Sequence, residues 1–375
     1  MYLNSIFVRN IRNLVEQDIF LGPGFNYIYG ANGAGKTALL EAVYLLARGR
    51  SFRSHRATPV ICREHNELIV RVSVQGINQS TDQLGISKSR NGVTLLRHNG
   101  ESVRRTSELA KFIPLHTLLP DAAELVYGAP MIRRTFVDWG LFHVKPSFVD
   151  LSRGYRRVLA QRNAYLKALG DERAYSDYQN DPWYEQYQNK ALEISTVRDE
   201  YLRELGPYFE ATLKSLAPEL DVILGYDWGG LVSLSQATKK MSESWSRDVK
   251  LGSTQRGPHR GDLSFISKGE PACDEVSRGQ AKLIASAVVL AQAKHLIETV
   301  DTKSIFLIDD FGAELDQAHW RKFLETLLDL GCQVIATSTE PLDESQEWVK
   351  LLADLQVFHV EHGRISAVSS TNESS

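Results

Sequence analysis

The stretch NYIYGANGAGKTALLEA, Asn26 to Ala42, decides the fold class. An aromatic and apolar run ends in Gly-Ala-Asn-Gly-Ala-Gly-Lys-Thr. A helical pattern, KTALLEAVYLLARG, follows and stops at Gly49, a natural C-cap. Strand, glycine loop and helix in that order are the context in which this motif cradles phosphate. Glycine admits the φ values that turn the backbone N–H groups of Gly30, Ala31, Asn32, Gly33, Ala34 and Gly35 inward. The helix start adds its positive end. Lys36 supplies a point charge to the β- and γ-phosphates, and the Thr37 hydroxyl is placed to ligate Mg2+. Many unrelated machines share such a cradle, so its kind must be read from residues far downstream.

SIFLIDD, Ser304 to Asp310, is the second half of such a site. Four apolar residues form a short buried strand. Asp309 at its end holds Mg2+ through water, and Asp310 stands where a carboxylate orients or deprotonates an attacking water. Alone, the pattern is a buried strand with a polar end; paired with the cradle it becomes a site. CQVIATST is another strand, after a helix at DQAHWRKFLETLLDLG. Strands alternating with helices predict an α/β fold with a largely parallel sheet.

Working outward, YLNSIFVRNI, LVEQDIFLG, ELIVRVSV and GVTLLRHNGESV read as further strands. From about Pro120 to Pro218 the pattern turns helical. Leu151, Tyr155, Val158, Leu159, Leu166 and Leu169 make one stripe; Ile194, Tyr201, Leu205, Phe209 and Leu213 make another. LDVILGYDW and GDLSFISKG bring β character back. The expected organisation is an α/β head over 1–119 and 219–375, split by an inserted helical domain at 120–218.

The 375 residues allow one large domain or two lobes. Net charge is -3, so a nucleic-acid partner must be met by a local patch. Cys62, Cys273 and Cys332 are widely spaced, form no zinc set, and read as a reduced, cytosolic chain. MYLNSIFVRN has no signal-peptide pattern. The run LIASAVVLAQA is too short to span a bilayer, so no membrane is expected.

DEVSRGQAKLIASAVVLAQA settles the kind of machine. As a bare helix start capped by Ser277 it is unremarkable. Placed before the Asp-bearing strand, it resembles the signature of ABC-type ATPases, and Ala313 to Asp316 (AELD) resembles their D-loop. That pattern implies an ABC-type ATPase head and two chains sandwiching two ATP molecules. Ser277, Arg278, Gly279 and Gln280 would then contact the γ-phosphate of ATP held by the other chain, and Asp316 belongs to the nucleotide set. Transporter subunits carry Gly where Arg278 stands, Glu where Asp310 stands and His where Thr337-Ser338 stand. The chain is more similar to the SMC/Rad50/RecF branch, but lacks the sustained heptads of a long coiled coil.

Within that branch FVRNIRNL, GRSFRSHR, GAPMIRRTFVDWGLFH, RGPHRGDL and SRGQAK resemble the RecF family, with Val276 in place of a more usual Leu. The family implies an ATP-dependent DNA-binding factor of recombinational repair. It acts on single-stranded, gapped and duplex DNA with RecO and RecR, supports replication and SOS induction, and forms an ATP-dependent homodimer with slow hydrolysis. The catalytic residues would be Lys36 and Asp310. The N-terminal stretch nominates Arg12 and Asn13 beside the nucleotide. A Q-loop glutamine cannot be placed. The runner-up is a nucleotide-binding subunit of an ABC membrane transporter.

From Arg133 to Lys167 there are eight Lys/Arg and two acids, Asp138 and Asp150. Arg133, Arg134, Arg153, Arg156 and Arg157 are candidates for DNA phosphate; a solvated helix face is the plain alternative. Arg53, His55 and Arg56 face either DNA or nucleotide. His259 and Arg260 read as structural or domain-coupling residues.

Overall fold

The strand Ile305–Ile308 is buried at all four positions, and its neighbour Gln333–Ser338 at all six. Continuous burial of this kind belongs to parallel strands covered on both faces. The computed structural model describes residues 1–368 apart from positions 55, 57, 77–79, 170–177, 231–233, 312–316, 344 and 353. The chain divides into two units, residues 1–122 with 293–375 and residues 123–292.

The first unit contains two six-stranded sheets. One runs in the order Arg364–Ala367, Gln356–Glu361, Phe25–Tyr29, Gln333–Ser338, Ile305–Ile308, Leu115–Leu118. All its pairings are parallel except the edge strand Arg364–Ala367. The expected α/β sheet is therefore present, and Gln333–Ser338 lies between the strand that feeds the glycine loop and the strand that ends at Asp309. In open α/β sheets the carboxyl ends of neighbouring strands are where ligands bind.

The other sheet is antiparallel, in the order Gln17–Phe20, Tyr2–Arg9, Glu67–Gln75, Thr81–Ser89, Thr94–His98, Glu101–Val103. Leu68, Val70 and Val72 point into the core while Glu67 and Arg71 face out, the period-two pattern of a sheet with one wet face. Gln333, almost fully buried, joins the two sheets: its amide accepts from Leu3 N and donates to the Leu3 and Gly22 carbonyls at 2.7–2.8 Å.

The second unit is built on the helices Phe148–Leu169 and Tyr184–Leu216, where the two sequence stripes lie. Tyr155, Val158, Tyr187, Ala191 and Ile194 form one core, with Leu151 and Leu159 packed on it. Inside it Arg162 is paired with Asp181 and Asp248 at 2.8 and 2.9 Å, and all three charges are buried. Losing one member of such a cluster costs about 3–5 kcal/mol, because the others stay buried unpaired.

The organisation differs from expectation at one boundary. The strands Val222–Asp227, Asp262–Ser267 and Glu270–Pro271 form a small antiparallel sheet of their own. Phe265 of that sheet meets Phe209 of the long helix, ring centroids 6.0 Å apart. Residues 219–292 therefore fall in the second unit and not with the α/β head, the small sheet packing on the Tyr184–Leu216 helix. The run LIASAVVLAQA is also longer than it reads. It lies in a 23-residue helix, Arg278–Val300, long and apolar enough to cross a membrane by length and composition, but buried over most of its length. That is the pattern of a core helix.

Candidate functional site

Phe25–Tyr29 delivers the chain into the glycine loop, and the helix Lys36–Arg48 leaves it. Glycine is required at two points. A Cβ on Gly30 would stand 2.3 Å from the Val360 carbonyl oxygen. Gly35 has φ 122, a conformation other residues rarely adopt. The Asn13 side chain donates to Gly33 O at 2.7 Å and holds the loop from outside. Ala31, Asn32 and Gly33 are exposed, Ala34 half-buried. The helix end presents amides that have no partner within the helix.

Lys36 is 8% exposed, and its ammonium donates to Gly30 O at 2.7 Å and Ala31 O at 3.0 Å. Burial lowers its pKa from the usual lysine value, while Asp310 and Asp309 pull it back up. A buried cation resting on neutral carbonyls suits an incoming anion. Thr37 Oγ1 donates to Asp309 Oδ1 at 3.0 Å, so the hydroxyl and the carboxylate expected at a divalent cation are already adjacent. Thr337 Oγ1 donates to the same Asp309 oxygen at 2.6 Å. A cavity of about 380 Å³ opens over these groups. It is lined by Arg12, Asn13, Asn32, Gly33, Gly35, Lys36 and Thr37 from the N-terminal half, and by Asp309, Asp310, Thr337 and Thr339 from the C-terminal half.

The residues present fit a triphosphate with a divalent cation: a glycine loop with exposed backbone at Ala31 to Gly33, one buried ammonium, and a hydroxyl–carboxylate pair. Lys36 and the loop could hold phosphates, and Thr37 and Asp309 the ion, which would neutralise charge on the outer phosphates. No group of three or more His, Cys, Asp or Glu suited to a metal occurs among the described residues. Two side chains completed by substrate phosphates are the usual Mg2+ arrangement.

Sequence reasoning missed Glu41 and Thr337 as members of the site. Glu41 is fully buried and takes both Arg12 Nε and Nη2. An acid at an inward helix position was the available signal. Arg53 lines the cavity, which favours the nucleotide side of its two readings. His55 and the D-loop-like Ala313 to Asp316 lie outside the described residues.

The signature stretch belongs to the second unit. Ser277 and Gln280 form a reciprocal cap on the helix Arg278–Val300: Ser277 N donates to Gln280 Oε1 at 2.8 Å and Gln280 N to Ser277 Oγ at 3.3 Å. Ser277, Arg278 and Gly279 are exposed.

The five arginines proposed for DNA separate. Arg133 is taken up by Asp262 through two bonds of 2.9 and 2.6 Å, and Arg134 donates to Gly261 O at 2.7 Å. Arg133 is thereby engaged inside the unit, with further bonds to the Val126 and Gly128 carbonyls, and is corrected to a structural residue, whereas Arg134 is half-buried and keeps donors beyond its one bond. Arg153 pairs with Asp150 at the surface, while Arg156 and Arg157 are exposed. His259 is structural as read. Its Nε2 faces Thr254 O at 3.0 Å and so carries the proton, and Nδ1 accepts from Tyr155 OH at 2.7 Å.

Comparison with known proteins decides the family. The profile of the RecF/RecN/SMC N-terminal domain matches residues 2–359. The protein called DNA replication and repair protein RecF in Shewanella piezotolerans is 35% identical over 98% of this chain and all of its own length. Its counterpart in Vibrio campbellii is 36% identical over 97% and 100%. The chain belongs to the RecF family. A solved recombination mediator protein RecF-ATP of the RecFOR pathway superposes on this RecF-family chain with a TM-score of 0.85, at 26% identity over 98% of each. An Smc head superposes with a TM-score of 0.58 at 14% identity over 100% and 98%, which shows the shared fold. The expected ABC-type ATPase head is thus the fold of this RecF-family member.

Proposed function

We propose that this chain is an ATP-dependent DNA-binding protein of DNA replication and recombinational repair. The observation that carries the reading is the convergence of buried Lys36, Thr37 and Asp309 on one cavity under the glycine loop. It is supported by relatives called DNA replication and repair proteins and by a solved relative described with ATP.

On this reading Lys36 leaves the carbonyls of Gly30 and Ala31 for the β- and γ-phosphates of ATP. Thr37 and Asp309 hold Mg2+. Asp310 orients the attacking water and takes its proton. A carboxylate on the short Asp side chain sits farther from that water than one on Glu, so hydrolysis is slow and serves as a switch. Ser277, Arg278, Gly279 and Gln280, three of them exposed, meet the γ-phosphate of ATP on a second copy, with Asp316 nearby. ATP therefore closes a homodimer, and that dimer holds DNA, single-stranded, gapped or duplex. RecO and RecR are the partners, SOS induction the wider role, and the cytoplasm the compartment. The transporter-subunit reading is not favoured, since nearly the whole chain aligns with RecF proteins and Thr337-Ser338 stand where transporter subunits carry His.

Mass measurement by light scattering tests this directly. ATP with Mg2+ should double the apparent mass of the 42.1 kDa chain. Single-stranded or gapped DNA should bind that form preferentially, and Lys36→Ala should do neither. An unchanged mass and no retained nucleotide would remove the proposal.

A further inference from the structure

Three hydrogen bonds tie one residue, Thr337, to the turn that carries both acids of the site. Its hydroxyl donates to Asp309 Oδ1 at 2.6 Å and accepts from Asp310 N at 3.1 Å. Its carbonyl accepts from Phe311 N at 2.6 Å. Thr337 is fully buried, at the carboxyl end of the strand that lies between the glycine-loop strand and the Asp309 strand. A side chain there can reach Asp309 sideways without leaving the sheet.

Asp310 needs such a tie. Its φ is 61, the left-handed region, which aspartate enters more readily than most residues but still at a cost relative to glycine. Such a backbone persists only where its surroundings over-determine it. A hydroxyl is one of few side-chain groups that can donate and accept through one atom. With its single proton on Asp309, its lone pair is left for the Asp310 amide. Both threonines, Thr37 and Thr337, bond to Oδ1 of Asp309. Asp309 itself lines the cavity.

We propose that Thr337 is a positioning residue: its hydroxyl latches Asp309 and Asp310 into one fixed turn, so that the first acid faces the ion and the second the attacking water. This rests on the ATPase reading above. Loss of the latch then separates hydrolysis from nucleotide binding, since the Lys36 ammonium bonds the Gly30 and Ala31 carbonyls and not Thr337.

The test compares Thr337→Val, which keeps the shape and loses the hydroxyl, with Thr337→Ser, which keeps the hydroxyl. ATP affinity should stay within about twofold of wild type in both. The turnover rate should drop at least tenfold in Thr337→Val, with a raised half-saturating Mg2+ concentration, and return to within about threefold of wild type in Thr337→Ser. Full turnover in the valine variant overturns the latch. So does a serine variant as slow as valine, which would make the role one of packing. Amide exchange of residues 309–311 without nucleotide gives a second reading independent of ATP. Faster exchange in valine and near-normal exchange in serine support the latch; equal exchange in all three chains overturns it. A wild-type chain that neither binds nor hydrolyses ATP would sink the ATPase reading alone, and the exchange measurement would still decide the latch.

Discussion

Arg12 and Glu41 meet fork to fork: Arg12 Nε and Nη2 donate to the two carboxylate oxygens of Glu41, each at 2.8 Å. Glu41 is fully buried on the helix that leaves the glycine loop, and Ser51 Oγ donates to it as well. The remaining arm of Arg12 donates to Pro59 O at 2.6 Å. Arg12 is therefore not a free cation for a ligand. It fastens the segment that carries Asn13, and Asn13 fastens Gly33.

Glu41→Ala would leave a guanidinium with its main partner removed. Paired bonds of this kind are worth more than a surface ion pair, and breaking one by removing a single partner costs on the order of 3 kcal/mol. The denaturation midpoint should fall accordingly. ATP affinity should fall with it, because Asn13 loses its anchor. A variant with wild-type stability would show that the pair is replaceable by water.

Lys36→Ala should abolish ATP retention and leave the folded state intact. The ammonium's two acceptors are loop carbonyls beside the open cavity, so water can replace it there. Circular dichroism checks the fold and equilibrium dialysis the nucleotide. Wild-type affinity in this variant would remove Lys36 from the phosphate site.

Asp310→Asn should keep ATP and Mg2+ binding, since Asp309 and Thr37 are untouched, and lose hydrolysis at least tenfold. The lifetime of the ATP-bound dimer should lengthen in step. Turnover at the wild-type rate would assign the water to another group.

Reversing the charges of Arg156 and Arg157 should weaken binding to every DNA sequence alike and flatten its salt dependence by roughly one unit of slope per lost phosphate contact. Adding Arg153 should change less, because Asp150 already holds it at 2.8 Å. An unaltered salt slope would return these arginines to a plain solvated helix face.

Acid should loosen the second unit through His259. Burial lowers its pKa to about 4 from an ordinary 6.5, so the folded state holds it neutral. The unfolded chain takes up the proton first as pH falls. Stability is therefore untouched above pH 6.5 and lost progressively between 6.5 and 4, by about 2 kcal/mol after allowing for partial exposure. Urea midpoints across that window should slope downward in wild type and more shallowly in His259→Gln. Parallel curves would show that other groups govern the acid response.

Sequence alone determined the head fold and the cradle, because both rest on local patterns. The loop from Gly30 to Thr37 sits between a strand and a helix that its neighbours dictate, and IFLIDD is apolar at every residue that must be buried on two faces. The family was legible for the same reason, in short motifs spread along the whole chain. Other features waited for the tertiary structure. Arg133 and Arg156 are equally basic in sequence; only the placement of Asp262, more than a hundred residues on, spends one and leaves the other in solvent. LDVILGYDW and GDLSFISKG read as strands of the head, but Phe265 is buried on the Tyr184–Leu216 helix, and that choice of partner is a matter of packing rather than period. Thr337 is marked in sequence only as standing where transporter subunits carry His, with no sign of a tie to the acids. Its meaning comes from strand order, which sets Gln333–Ser338 between the cradle and the acids and brings its hydroxyl to Asp309 across 28 residues of chain.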